Sequence, residues 1–131
     1  MAMKFLQPEG WPRPKGYSNA VVAQGRTIFV SGMVGCDTQG NFADGFTAQA
    51  RQALANIVAV LAEAGAGPTH VVRLNWYIVD MRQYKAELAD LGVAYREVMG
   101  VHYPAMTLVQ VSRLVDNKAR VEIEATAVLP D

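Results

Sequence analysis

Residues 70–80 run through a segment whose apolar side chains fall on both sides of an extended backbone. Val72, Leu74, Trp76 and Ile78 take one side, and Val71, Tyr77 and Val79 take the other. A strand of that kind belongs in the middle of a sheet, so the fold has to be built around it. Helical periodicity supplies a cover for one face. Ala50, Leu54, Ile57, Val58 and Leu61 recur at offsets of 4, 7, 8 and 11, which is one stripe of an α-helix. Thr47 suits its N-cap, and Gly65, Gly67 and Pro68 stop it. Tyr84, Leu88, Leu91, Tyr95 and Val98 form a second stripe.

Four further stretches read as strands. Residues 19–23 and 27–32 are joined by Gln24-Gly25-Arg26, with Gly25 at a turn position that needs positive φ. Asp37-Thr-Gln-Gly-Asn41 marks the next turn. Residues 105–114 and 120–129 close the chain around a turn at Asp116-Asn-Lys118. The order is ββαβαββ, an α+β arrangement that lays both helices on one face of a mixed sheet. The second face must then meet water or another subunit, and a homo-oligomer is expected.

The 131 residues, 51% hydrophobic and 18% charged, suit a single domain over residues 1–131. Residues 1–16 are expected to form an ordered lead-in arm, proline- and glycine-rich over residues 8–16, in which Trp11 offers a large surface to bury. Twelve Lys+Arg balance twelve Asp+Glu, which argues against nucleic-acid or membrane-surface binding. One cysteine and two histidines argue against a disulfide and a Cys/His zinc site. No apolar run reaches the length of a membrane span, and the first residues lack a signal-peptide core, so a cytoplasmic home is expected.

Glu122 and Glu124, in Arg120-Val-Glu-Ile-Glu-Ala-Thr126, are the most informative pair. At i and i+2 on a strand they share one face, and partial burial of two repelling carboxylates favours a proton on one of them. That suits general acid or base work. An exposed polar face of a half-buried strand fits the same spacing. Tyr17-Ser18 and Ser31-Gly32 place hydroxyl groups where the backbone bends, as suited to turns as to a ligand. His102, just before Tyr103-Pro104, is a candidate for substrate contact or a structural histidine. Cys36 has no cation or histidine beside it in sequence to activate its thiol. Neither a nucleophile elbow nor a phosphate-binding glycine pattern occurs.

Six short pieces also stand in a familiar order: Gly16-Tyr-Ser-Asn-Ala-Val21, Ile28-Phe-Val-Ser-Gly32, Gln49-Ala-Arg-Gln-Ala-Leu-Ala-Asn-Ile57, Val79-Asp-Met81, Tyr103-Pro-Ala105 and Val121-Glu-Ile-Glu-Ala125. Over about residues 15–129 they resemble the Rid/YjgF family of reactive-intermediate deaminases, also labelled endoribonuclease L-PSP. The resemblance implies a chorismate-mutase-like fold, a homotrimer with clefts between subunits, and hydrolysis of imines or enamines without a cofactor. It implies that Tyr17, Ser31 and Glu122 line the cleft as catalytic residues, with Glu122 holding the attacking water. Backbone groups around Cys36 would orient substrate, and Glu124 and His102 stand as further candidate contacts.

Three departures qualify the likeness. The family's carboxylate-binding arginine after Pro-Ala is Met106 here, and Leu108 stands where many members have cysteine. An asparagine of the second helix is replaced near Gly92. Loss of the fixed cation removes a charge-assisted contact of ~1.5–3 kcal/mol and leaves an apolar Met106/Leu108 cleft floor. Two readings follow. One is a Rid-like hydrolase of altered specificity, and the other is a non-catalytic small-molecule-binding or regulatory trimer that uses the same clefts. A ribonuclease is suggested only by the family label, against a neutral charge and no basic patch.

Overall fold

The computed structural model describes residues 3–131. Its elements are β1 (Lys4–Leu6), β2 (Ala20–Val22), β3 (Arg26–Val34), α1 (Phe46–Ala62), a 3-10 turn (Pro68–His70), β4 (Val71–Ile78), α2 (Met81–Ala86), α3 (Leu88–Met99), β5 (Ala105–Gln110) and β6 (Val121–Leu129). Four strands form one mixed sheet in the order β3-β6-β4-β5, with β4 parallel to β5 and antiparallel to β6. The doubly apolar strand is therefore interior, as its composition requires. Helices α1 and α3 pack against each other, and α1 lies across β3 and β6 on one sheet face. Phe46, Leu54, Ile57 and Leu61 of α1 close completely onto Leu74, Ile78, Val121 and Ile123. Each such side chain contributes about 1.5–3 kcal/mol by leaving water.

The expected α+β class and helix placement hold, with five local differences. First, β2 does not pair with β3. It pairs with the three-residue β1 in a separate two-stranded ribbon. Gly25, at φ 147°, lets the chain turn between them while passing so close to the Leu129 carbonyl that no side chain fits. Second, Trp11 remains 59% exposed, although Gln7 Nε2 orders its segment by donating to the carbonyls of Trp11 (3.0 Å) and Pro12 (3.2 Å). Third, α1 begins one residue before Thr47, with Gly45 as N-cap. The Glu87 carboxylate accepts instead from the Thr47 backbone N–H (3.3 Å) and Oγ1 (2.6 Å), putting negative charge at the helix start. Fourth, the second helical segment is two helices, broken at Glu87 (φ −106°, ψ 15°). Fifth, β5 ends at Gln110 because its partner β4 ends at Ile78; the Val111 N–H makes the last bond to the Ile78 carbonyl (2.8 Å), and residues 112–114 run on without a ladder.

Candidate functional site

Register decides which side chains can meet. Leu74 pairs with Met106 and Trp76 with Leu108, so Met106 and Leu108 face the helices. Glu124 pairs with Asn75 and Glu122 with Tyr77, on the opposite, uncovered face. Met106/Leu108 and Glu122 thus share no face within one chain, and the sequence candidates fall into two groups.

The first group lines a cavity of about 450 Å³ at the β5 edge. Its walls include Tyr17, Trp76, Tyr95, Tyr103, Met106 and Leu108. Tyr17 is held there because its neighbour Ser18 is fastened to the start of β5: the Ser18 N–H donates to the Pro104 carbonyl (3.0 Å) and its hydroxyl to the Tyr103 carbonyl. Tyr95 and Tyr103 stack with centroids 5.3 Å apart. The Tyr95 hydroxyl donates to the His102 carbonyl, and burial pushes its pKa well above the ordinary tyrosine value, with a smaller push from Tyr103.

The second group lies on the uncovered face. Strand β3 carries a bulge there, with Ser31 and Gly32 set between the pairs Val30–Ala125 and Met33–Ile123, so that both oppose Glu124. Ser31 is therefore at a mid-strand bulge, not a strand end. Gly32 is backed by the Glu122 carboxylate so closely that a Cβ would overlap Oε2. Half-buried Glu122 makes no hydrogen bond among the described residues. Glu124 is engaged: its Oε1 accepts from Tyr77 Oη (2.6 Å) and Asn75 Nδ2 (3.1 Å). That hydrogen bond raises the Tyr77 pKa above its usual 10.0, helped by desolvation and by the charges of Glu124 and Glu122.

Two candidates are placed elsewhere. His102 is buried with Nε2 2.8 Å from the Val71 carbonyl and Phe5 at its ring edge, so it holds strand ends together and does not line the cavity. Cys36 sits in the turn after β3, where its N–H donates to the Val34 carbonyl (2.9 Å) and its carbonyl accepts from Asn56 Nδ2 (2.9 Å). Those backbone groups already serve the fold. Sequence reasoning missed Gly32 as the space for Glu122, and Trp76 as a cavity wall. The alternation in β4 was the available signal for Trp76.

A mixed sheet with two packed helices, a carboxylate on the bare face and an aromatic cavity at its edge define a small α+β protein with ligand-sized sites. Residues 12–129 match the family model described as endoribonuclease L-PSP. A RutC family protein of Synechocystis sp. is 35% identical, with 99% of each chain covered. The human 2-iminobutanoate/2-iminopropanoate deaminase is 33% identical over 86% of this chain and 79% of its own length. Among solved structures, the Rid family protein YyfB of Yersinia pestis superposes with a TM-score of 0.86 at 34% identity, covering 98% of this chain and all of that one. The YjgF gene product of E. coli gives 0.71 at 29% identity, covering 95% and 98%. The chain belongs to the Rid/YjgF family, whose model carries the endoribonuclease L-PSP name.

Proposed function

We propose that this chain is a Rid-family hydrolase that deaminates a small imine or enamine at a site shared between subunits of a homotrimer. The observation that carries the reading is the Glu122 carboxylate, free of hydrogen bonds among the described residues and seated over Gly32 on a sheet face that no described helix covers. Relatives named as iminobutanoate/iminopropanoate deaminases support the reaction class. The cavity with Tyr17, Met106 and Leu108 lies on the other face, so a second copy must bring the two halves together. In that cleft Glu122 takes a proton from water as oxygen bonds to the imine carbon and the C=N π electrons move to nitrogen. The nitrogen receives that proton from Glu122 to give the neutral carbinolamine; Glu122 then takes the hydroxyl proton as the carbonyl forms and passes it to the nitrogen as the C–N bond breaks, releasing ammonia. Tyr17 and Ser31 hold the water and substrate, and the sequence asks for no cofactor. Met106 gives the floor an apolar surface where other members fix a carboxylate.

Ammonia release from freshly generated imines, one neutral and one carboxylated, tests the reading with wild type, Glu122→Gln and Met106→Arg. Wild-type turnover lost in Glu122→Gln is expected. Saturable binding without Glu122-dependent ammonia would instead make the protein a non-catalytic ligand-binding trimer, the reading favoured by the absent cation at Met106.

A further inference from the structure

The cavity at the β5 edge has a charge pattern that its apolar floor does not explain. Lys15 and Arg96 both line it, and no aspartate or glutamate does. Neither cation forms an ion pair among the described residues, whereas Arg51, on α1, is paired with Glu97 at 2.9 Å. Arg96 is also aimed by its helix. One turn earlier stands Gly92, and the Arg96 Nη1 lies only 3.4 Å from where a Cβ at Gly92 would be. The guanidinium thus lies alongside Gly92, at ordinary contact distance from where a Cβ would be. In the wall behind, Trp76 is 4% exposed and its indole N–H has no protein acceptor among the described residues. Tyr95 and Tyr103 add stacked aromatic faces.

We infer that Arg96 and Lys15 form an anion subsite for this cavity, and that its ligand is a flat aromatic carboxylate with its ring against Tyr95, Tyr103 and Trp76. The cation that Met106 lacks on β5 is supplied from α3 and from the lead-in arm, so the carboxylate enters from the rim and not from the floor. The inference rests on the hydrolase reading for its biological sense, but the subsite is defined by binding alone. A planar guanidinium matches a carboxylate in two parallel hydrogen bonds, and aromatic walls reward a ring more than an alkyl chain.

Calorimetric titration with phenylacetate and its neutral counterpart phenylacetamide tests it on the assembled protein. Wild type should bind phenylacetate at least about tenfold more tightly than phenylacetamide. Arg96→Gln together with Lys15→Gln should bring that ratio close to one, with an unchanged melting temperature as the control for folding. Arg96→Lys should retain part of the preference. Equal affinity for the two probes, binding of neither, or a preference indifferent to the Arg96 and Lys15 changes would overturn the subsite. Glu122-dependent turnover of neutral imines without phenylacetate preference would sink this inference alone. Phenylacetate preference without any Glu122-dependent turnover would uphold it and sink the hydrolase reading.

Discussion

Glu124 ends with its Oε1 shared by Tyr77 and Asn75, whereas Glu122, two residues earlier, ends against a glycine. The i, i+2 spacing places both on one face but cannot separate them, because the distinction comes from residues on two other strands. Glu122→Gln should therefore lower kcat by about a hundredfold or more while leaving the melting temperature unchanged, since no intramolecular hydrogen bond is lost. Glu124→Gln should do the reverse in kind, loosening the Tyr77 contact while keeping turnover within about tenfold. Turnover assays beside thermal melts on both variants check this contrast. Tyr77 and Tyr95 both hold their protons above the usual 10.0, Tyr77 chiefly through Glu124 and Tyr95 chiefly through burial. The unfolded chain releases such protons first, so the stability they contribute is complete below pH ~10 and is lost as pH rises through the folded values. Urea midpoints should fall from pH 9 to 11, and fall less steeply in Tyr95→Phe.

At the scale of elements, long periodic segments were readable because a buried face repeats along them. The α1 stripe and the doubly apolar β4 are such cases. Strand β1 was not, since three residues carry no period. The break at Glu87 also left no mark, because neither glycine nor proline causes it. The site was legible only strand by strand. Met106 and Leu108 could be put on one face and Glu122 on one face, but β4 lies between β5 and β6, and only register relates the two. His102 looked like a ligand candidate because its Val71 partner is 31 residues away. The β6 strand that presents Glu122 is anchored through buried Gln49, whose Nε2 donates to the Ala43 (3.2 Å) and Lys118 (3.0 Å) carbonyls and whose Oε1 accepts from the Arg120 N–H (2.7 Å). Gln49→Ala strands these backbone groups, and its melting temperature should fall by roughly 5–10 °C.

Across the whole molecule, one sheet face is packed under helices and the other carries Phe29 at 81% exposure beside Thr126, Glu122 and Glu124. An aromatic side chain left in water on a sheet face fits a surface that another copy covers. Sedimentation should find wild type as a trimer, and Phe29→Glu should shift it toward monomer and remove turnover together. In the proposed shared site, Glu122 of one subunit works on a ligand held in the Tyr17/Met106/Leu108 cavity of another. Co-refolding Glu122→Gln with Leu108→Arg, each inactive alone, measures it directly through ammonia release. If sites are shared, random 1:1 mixing pairs an intact cavity with an intact Glu122 at about one site in four, so activity should return to about a quarter of wild type. A mixture as inactive as its two components, in trimers shown to have exchanged subunits, would contradict the shared site.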